Sequence, residues 1–426
     1  MRIAIIGAGV AGLTAAESLR RSGFSEVVVY EAAQTVGGKV RTKVIDGRPY
    51  ELGACVFFKS DTELVDLIDR YGVLVSPSPH GRLHDLDDEG ALLGFRAWQN
   101  KRFSAAQTAA ALARYMFVIA RYPEVAKSGG WSSLPHELFE SSDAFFAKHG
   151  LSAVAWPYRH WMAGLGYGFH SEMPALYSMS FIGRGLLLKM LRTVFDLDSG
   201  FRTVAPGFQK LWEAVARDLD IRLNHPVTAV RRRAKGQGWT IHVTSNGQTE
   251  TFDRLITTVS HPRMLEVLDP SEAERAVYGR IRFNPYVTTV FRARGLAEGS
   301  TALLAQQCTP DRKGRLMMYS HPHPDRDLFL GWQYGLETDA PALSAAVFED
   351  VAELGGEVLK IVHQEFWPDY FPHVEEEGLR AGHFEELQAM QGQRGTYYAG
   401  AMVDCELTGT VAAWAKKLVN TYFTNA

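Results

Sequence analysis

The chain has 426 residues, 46% of them hydrophobic and 22% charged. At roughly 150 residues per domain this is two to three domains' worth, long enough to bury a large core without disulfides. The formal charge of −3, from 45 basic and 48 acidic residues, excludes a net basic field aimed at nucleic acid or at an anionic membrane. Cys55, Cys308 and Cys405 are far apart, which argues against a disulfide framework or a CxxC pair and fits a reducing cytoplasm.

The chain opens as strand, turn, helix, strand. Arg2–Ile6 is a short apolar run, Gly7 to Gly12 a glycine turn, and Gly12–Arg21 a helix with Leu13, Ala16 and Leu19 inward. Glu26–Tyr30 is the second strand. The first residues lack the charged region, apolar run and cleavage site of a signal peptide. Continuous apolar strands of this kind suit a parallel sheet covered on both faces. Ser60 and Glu63 have the spacing of a capping box for a helix that Gly72 closes. Residues 100–195 read as helical. Their longest apolar run, Ala105–Tyr122, is interrupted by Gln107, Thr108, Arg114 and Arg121. It falls short of the ~18 uninterrupted apolar residues of a membrane span. A buried or tunnel-lining helix is the first reading, a membrane-surface role the second.

From about 200 the pattern becomes a helix at Phe208–Leu219 and short strands at Val227–Arg231, Thr240–Val243 and Leu255–Val259. An Asn246-Gly247 hairpin turn lies among them. Aromatic strands follow at Val287–Phe291 and Leu328–Tyr334, then a strand at Thr396–Ala399 and a helix from about Gly409 to Phe423.

The strongest motif is Gly7-Ala8-Gly9-Val10-Ala11-Gly12. Gly7 permits the tight turn, Gly9 lets the backbone approach a pyrophosphate, and Gly12 lets the helix pack on the strand. The phosphates would sit on the helix N-terminus, beside Ala11. Glu31, 19 residues after Gly12, can accept hydrogen bonds from a ribose diol. Gly37-Gly38-Lys39-Val40-Arg41-Thr42 and Glu51-Leu52-Gly53-Ala54 follow.

These blocks resemble the FAD-binding signature of the flavin amine oxidase superfamily. The resemblance continues at Pro226-Val227-Thr228-Ala229-Val230, at Asp253–Pro262, and at Tyr397-Tyr398-Ala399-Gly400-Ala401 with the final helix. It implies an α/β fold: a Rossmann-type, glutathione-reductase-like FAD domain (1–72, 200–272, 388–426), a helical cap (100–195) and a mixed-sheet substrate domain (73–99, 273–387). It implies non-covalent FAD held by Gly7, Gly9, Ala11, Gly12, Glu31, Gly38, Lys39, Arg41, Gly53, Ala54, Val227, Gly400, Ala401 and Thr410. The family usually has an acidic residue where Ala401 stands; in this chain Asp404, Glu406, or an N–H group and water would take its place. Cys405 lies where covalent flavin links occur in the family.

A narrower similarity, at Gly166-Tyr167-Gly168, Tyr370-Phe371-Pro372-His373-Val374 and Met390-Gln391-Gly392, is to bacterial FAD-dependent polyunsaturated fatty acid double-bond isomerases. In that chemistry flavin N5 is the reactive group. It takes a hydride from a doubly allylic carbon held at about 3–3.5 Å and returns it to another carbon. Tyr167, Tyr370 and Phe371 would lie near the flavin face. Arg82 would anchor a carboxylate, and Phe195 would line the entrance. The implied partner is an apolar small molecule, a fatty acid or polyene, with no nucleic acid and no integral membrane segment.

Two further readings stand beside this one. The first is an oxidase or desaturase passing electrons to oxygen, which for a primary amine calls for an aromatic cage and a lysine near N5; Lys360 lies in the right half of the chain. The second is a flavin-binding module without chemistry. His321-Pro322-His323-Pro324-Asp325 has the wrong spacing for a helical metal site, so no metal is expected. Arg231-Arg232-Arg233 reads as a solvated strand end.

Overall fold

The computed structural model describes residues 1–78, 82–86, 92–123, 125, 130–183, 201–335 and 340–424. Strand Ile3–Ile6 is buried along its whole length, as a four-residue apolar run between two covered faces must be. It pairs in parallel with Val27–Tyr30 on one side and Arg254–Thr257 on the other. Asp220–Arg222 and Thr396–Tyr398 extend this to a five-stranded parallel sheet. Its strands come from the three stretches 1–72, 200–272 and 388–426. Helices Val10–Arg21 and Thr408–Val419 pack side by side. The antiparallel strands Val227–Lys235, Gly238–Ser245 and Gln248–Phe252 form a separate small sheet. Asn246 and Gly247, both with positive φ, make the tight turn of its hairpin.

A seven-stranded sheet runs in the order Glu357–Trp367, Tyr286–Arg294, Leu328–Tyr334, Leu316–Ser320, Ser300–Leu303, Arg82–Leu86, Leu92–Gly94. Only Ser300–Leu303 and Arg82–Leu86 pair in parallel. Strand Leu74–Pro77 pairs instead with Phe201–Ala205, so the stretch 73–99 is shared between two sheets. The helical layer comprises Ala105–Ala120, Ser142–Lys148, Ser152–Gly164 and residues 175–183.

One helix start differs from the sequence reading. Helix Thr62–Tyr71 is preceded by Asp61 and has no side-chain cap bond. Ser60 is one residue too early to serve as its cap. The Asp61 carboxylate turns back to accept from the Phe58 amide at 2.7 Å. Gly72 ends the helix in the left-handed conformation, as expected.

Candidate active site

A cavity of about 1260 Å³ runs between the parallel sheet and the seven-stranded sheet. Its first half is built by the glycine turns. Gly7, Gly9, Ala11, Glu31, Gly38, Lys39, Arg41, Gly53 and Ala54 all line it. Gly12 does not; a Cβ there would lie 1.9 Å from the Gly7 carbonyl oxygen, so its absent side chain lets helix and strand close on each other. Gly38 lies against Gly9, where a Cβ would come within 3.0 Å of the Gly9 Cα. Glu31 ties the turn together, accepting from the Ala8 amide at 2.7 Å and the Ala33 amide at 2.8 Å.

Two helix N-termini face this space. Helix Val10–Arg21 starts at Gly9 and helix Thr408–Val419 at Leu407, and neither has a side-chain cap. Gly9, Val10 and Ala11 line the cavity at one end, and Thr408, Gly409, Thr410 and Val411 at the other. Uncapped amide N–H groups and the helix dipole favour negative charge at both places. The buried Nε of Arg41, on the same wall, has no hydrogen-bond partner among the described residues. Amide-lined phosphate ground, an unpartnered guanidinium nitrogen and a second helix dipole fit a flavin dinucleotide. Gly400, Ala401 and Thr410 line the cavity as expected. Val227 is not among the lining residues; it starts a strand opposite Ser245.

The second half is apolar. Trp161, Leu303, Met318, Trp332 and Trp367 line it, with Tyr167, Phe181, Tyr286 and Tyr370. Trp367 Nε1 and Thr288 Oγ1 both donate to the Leu52 carbonyl, at 2.8 and 2.7 Å. This fixes the Leu52–Ala54 segment between the two halves. Tyr370 is stacked between Tyr286 (5.0 Å between ring centres) and Tyr167 (6.1 Å). Tyr286 is itself held by its hydroxyl, which donates to the Gly164 carbonyl. Burial pushes the phenols of Tyr167, Tyr286 and Tyr370 well above their usual range, so they stay neutral. Phe371 does not reach the cavity; it is 1% exposed and packs behind Tyr167 at 4.7 Å. The resemblance of Tyr370–Val374 to the isomerase motif placed it near the flavin face, but successive residues of a turn point to different sides.

Lys39 is the only lysine among the described lining residues. Its Nζ donates to Glu406 Oε1 at 2.6 Å and to the Asp369 carbonyl. Glu406 Oε2 accepts from the Phe371 amide. Burial raises the Glu406 carboxyl above its usual range, against the pull of Lys39. Glu406 therefore lines the cavity but is already engaged. Asp404 accepts from the Gly130 and Cys405 amides instead. Lys360 is exposed on the strand Glu357–Trp367 and does not line the cavity.

Cys55 lines the cavity, its thiol pushed up to about 12 by burial. Cys405 is buried and outside the lining, its thiol raised likewise. His321 and His323 each bond a backbone carbonyl, and no metal-ligating cluster occurs among the described residues. Arg232 is not a solvated strand end: its buried guanidinium pairs with Asp269 and Glu274. The main chain of Arg82 lies in the seven-stranded sheet; its side chain, and the whole of Phe195, lie outside the described residues.

The sequence profile of the flavin containing amine oxidoreductases matches residues 10–413. The chain belongs to that family. A FAD-dependent oxidoreductase of Monascus ruber, pigF, is 24% identical over 94% of this chain and 87% of its own length. FAD is accordingly the cofactor. The crystal structure of a CLA-producing fatty acid isomerase from P. acnes superposes with a TM-score of 0.90 at 25% identity, covering 99% of this chain and 98% of that one. A cyclohexylamine oxidase from Brevibacterium oxydans reaches 0.70 at 16% identity, covering 98% of both chains, a likeness of fold alone. These two solved proteins share the fold of this chain. Trp161, Trp332 and Trp367 went unforeseen because each sits in a different element and no motif joins them.

Proposed function

We propose that the chain is a FAD-dependent isomerase that shifts double bonds in a polyunsaturated fatty acid or related polyene. The observation that carries this is the apolar, aromatic second half of the cavity; the lysine that lines the cavity, Lys39, is tied to Glu406. When bound, FAD supplies the hydride acceptor and donor; the chain's residues supply the surroundings. Trp161, Trp332, Met318 and Leu303 hold a flexible acyl chain in one bend and exclude water. The neutral phenols of Tyr167 and Tyr370 offer no anionic nucleophile to a carbon that becomes electron-poor. The faces of the rings stabilise positive charge on the substrate. No side chain is required to move a proton. Arg82 as carboxylate anchor and Phe195 as entrance aromatic complete the proposal on sequence resemblance.

The test is an anaerobic spectrum of the yellow protein with linoleic acid. Growth of conjugated-diene absorbance, with the flavin oxidised at the end, supports the reading. Flavin bleaching that recovers only in air means an oxidase or desaturase. Arg82→Ala should raise KM for the free acid and have a smaller effect on its methyl ester; equal effects would remove the anchor role.

A further inference from the structure

Helix Ala105–Ala120 is apolar on two faces. Ala111, Tyr115, Val118 and Ile119 are buried against the protein. Ala109, Ala110, Ala113, Met116 and Phe117 form a second stripe at i, i+1, i+4, i+7, i+8 spacing, and this one faces outward. Phe117 is 80% exposed and Met116 42%. A surface helix normally puts polar residues on that side; large apolar side chains there mark an interaction site.

The charged residues of the segment that carries the stripe are basic, with Glu124 next in sequence after it. Residues 95–123 contain Arg96, Lys101, Arg102, Arg114 and Arg121 and no Asp or Glu. Arg102 lies over the Trp156 ring at 3.9 Å and Arg114 bonds the Gly150 carbonyl, contacts that do not cancel charge. Arg121 has Glu137 at 3.7 Å. The chain as a whole is acidic, so this cationic, apolar segment is a local feature. It also adjoins the cavity. Ala97 and Asn100, both exposed, line the cavity from helix Phe95–Arg102, which leads directly into Ala105–Ala120. The longer helix packs on Ser152–Gly164, which carries Trp161 of the cavity wall.

We propose that helix Ala105–Ala120 docks this protein on anionic lipid surfaces, lying in the interface with Met116 and Phe117 inserted and its arginines among the headgroups. An amphipathic helix with basic flanks and large apolar tips binds in this way. Among the described residues no helix is long and apolar enough to cross a membrane, so the helix lies on the surface. The cavity mouth would then open toward the layer in which an acyl substrate dissolves. The inference goes beyond the isomerase reading and does not rest on it.

The test is cosedimentation of the FAD-loaded full chain with vesicles, without substrate. One set is phosphatidylcholine alone; the other includes phosphatidylglycerol. Binding should be stronger on the anionic vesicles and should weaken as salt screens the charges. Arg114→Gln should lower the partition coefficient about fivefold, and Phe117→Ser about tenfold or more. Both variants should keep the flavin spectrum and melting temperature of the parent. Absence of binding to either vesicle, or unchanged binding by Phe117→Ser, overturns the proposal. So does a dimer in light scattering that Phe117→Ser disperses, which would assign the stripe to a second copy of the chain. Failure to form conjugated dienes overturns only the isomerase reading.

Discussion

Lys39 and Glu406 form an ion pair at 2.6 Å across the cavity wall, although they stand 367 positions apart in the chain. The glycine-rich block that carries Lys39 resembles a FAD-binding signature, and Lys39 lines the cavity. Lys39 also has a structural task. Together with Glu406 it clamps the turn Asp369–Phe371, through the Asp369 carbonyl and the Phe371 amide. Phe371 has a positive φ of 48°, a conformation a bulky residue holds only when its surroundings fix it.

Glu406→Gln should therefore loosen the turn that presents Tyr370. We expect a loss of about 1.5–3 kcal/mol, the worth of hydrogen bonds to a charged group. A double-mutant cycle with Lys39→Met, followed by thermal unfolding of the FAD-loaded protein, should return a coupling of similar size. Additive losses would mean that Lys39 acts on the cofactor independently of Glu406.

Tyr167→Phe and Tyr370→Phe test what the stacked rings do. If they wall the cavity and stabilise positive charge through their faces, removing a hydroxyl changes little. We expect kcat to fall by less than about tenfold in each. A phenol acting as acid or base would be worth about a hundredfold or more. A loss of that size in either variant would replace the proposed mechanism with one that moves a proton.

The parts of the fold that were legible are those fixed locally. Strand Ile3–Ile6, the Gly7–Gly12 turn and the Asn246-Gly247 hairpin each follow from a few adjacent residues whose backbone preferences agree. The site's second half was not legible, because Trp161, Leu303, Trp332 and Trp367 meet only after a helix and a seven-stranded sheet have formed. Phe371 and Val227 were matched to the site through motif resemblance, and neither lines the cavity. The net charge of −3 likewise concealed the cationic segment 95–123, since a sum over the chain says nothing of where charges lie.

Gly12 gives a test of the dinucleotide half. Any side chain there meets the Gly7 carbonyl oxygen, in backbone that cannot swing aside as a side-chain tip could. Gly12→Val should yield protein that loses its yellow colour on gel filtration, or does not fold. Gly279→Ala is the control. That helical position has nothing within 4 Å of a new Cβ, and the substitution should be neutral or stabilise by about 0.5–1 kcal/mol. Full flavin retention by Gly12→Val would mean that helix and strand can separate without disturbing the site.

Glu51 links the site's scaffold to pH. Its side chain is buried beside the Leu52–Ala54 segment, and burial raises its carboxyl to about 7. The Phe208 amide and Thr42 hydroxyl, which donate to it, offset only part of this. A carboxyl whose folded-state pKa is raised binds its proton more tightly in the native state than in the unfolded chain. Its contribution is thus fully present below the unfolded value near 4.5 and is lost as pH rises through about 7. The shift corresponds to roughly 3 kcal/mol across that window. Glu51→Gln keeps an acceptor for the Phe208 amide and carries no charge at any pH. Denaturant unfolding should show the variant close to the parent at pH 4.5 and more stable by about 2–3 kcal/mol above neutrality. Parallel stability profiles for the two proteins would show that Glu51 ionises normally and that its burial is relieved by water.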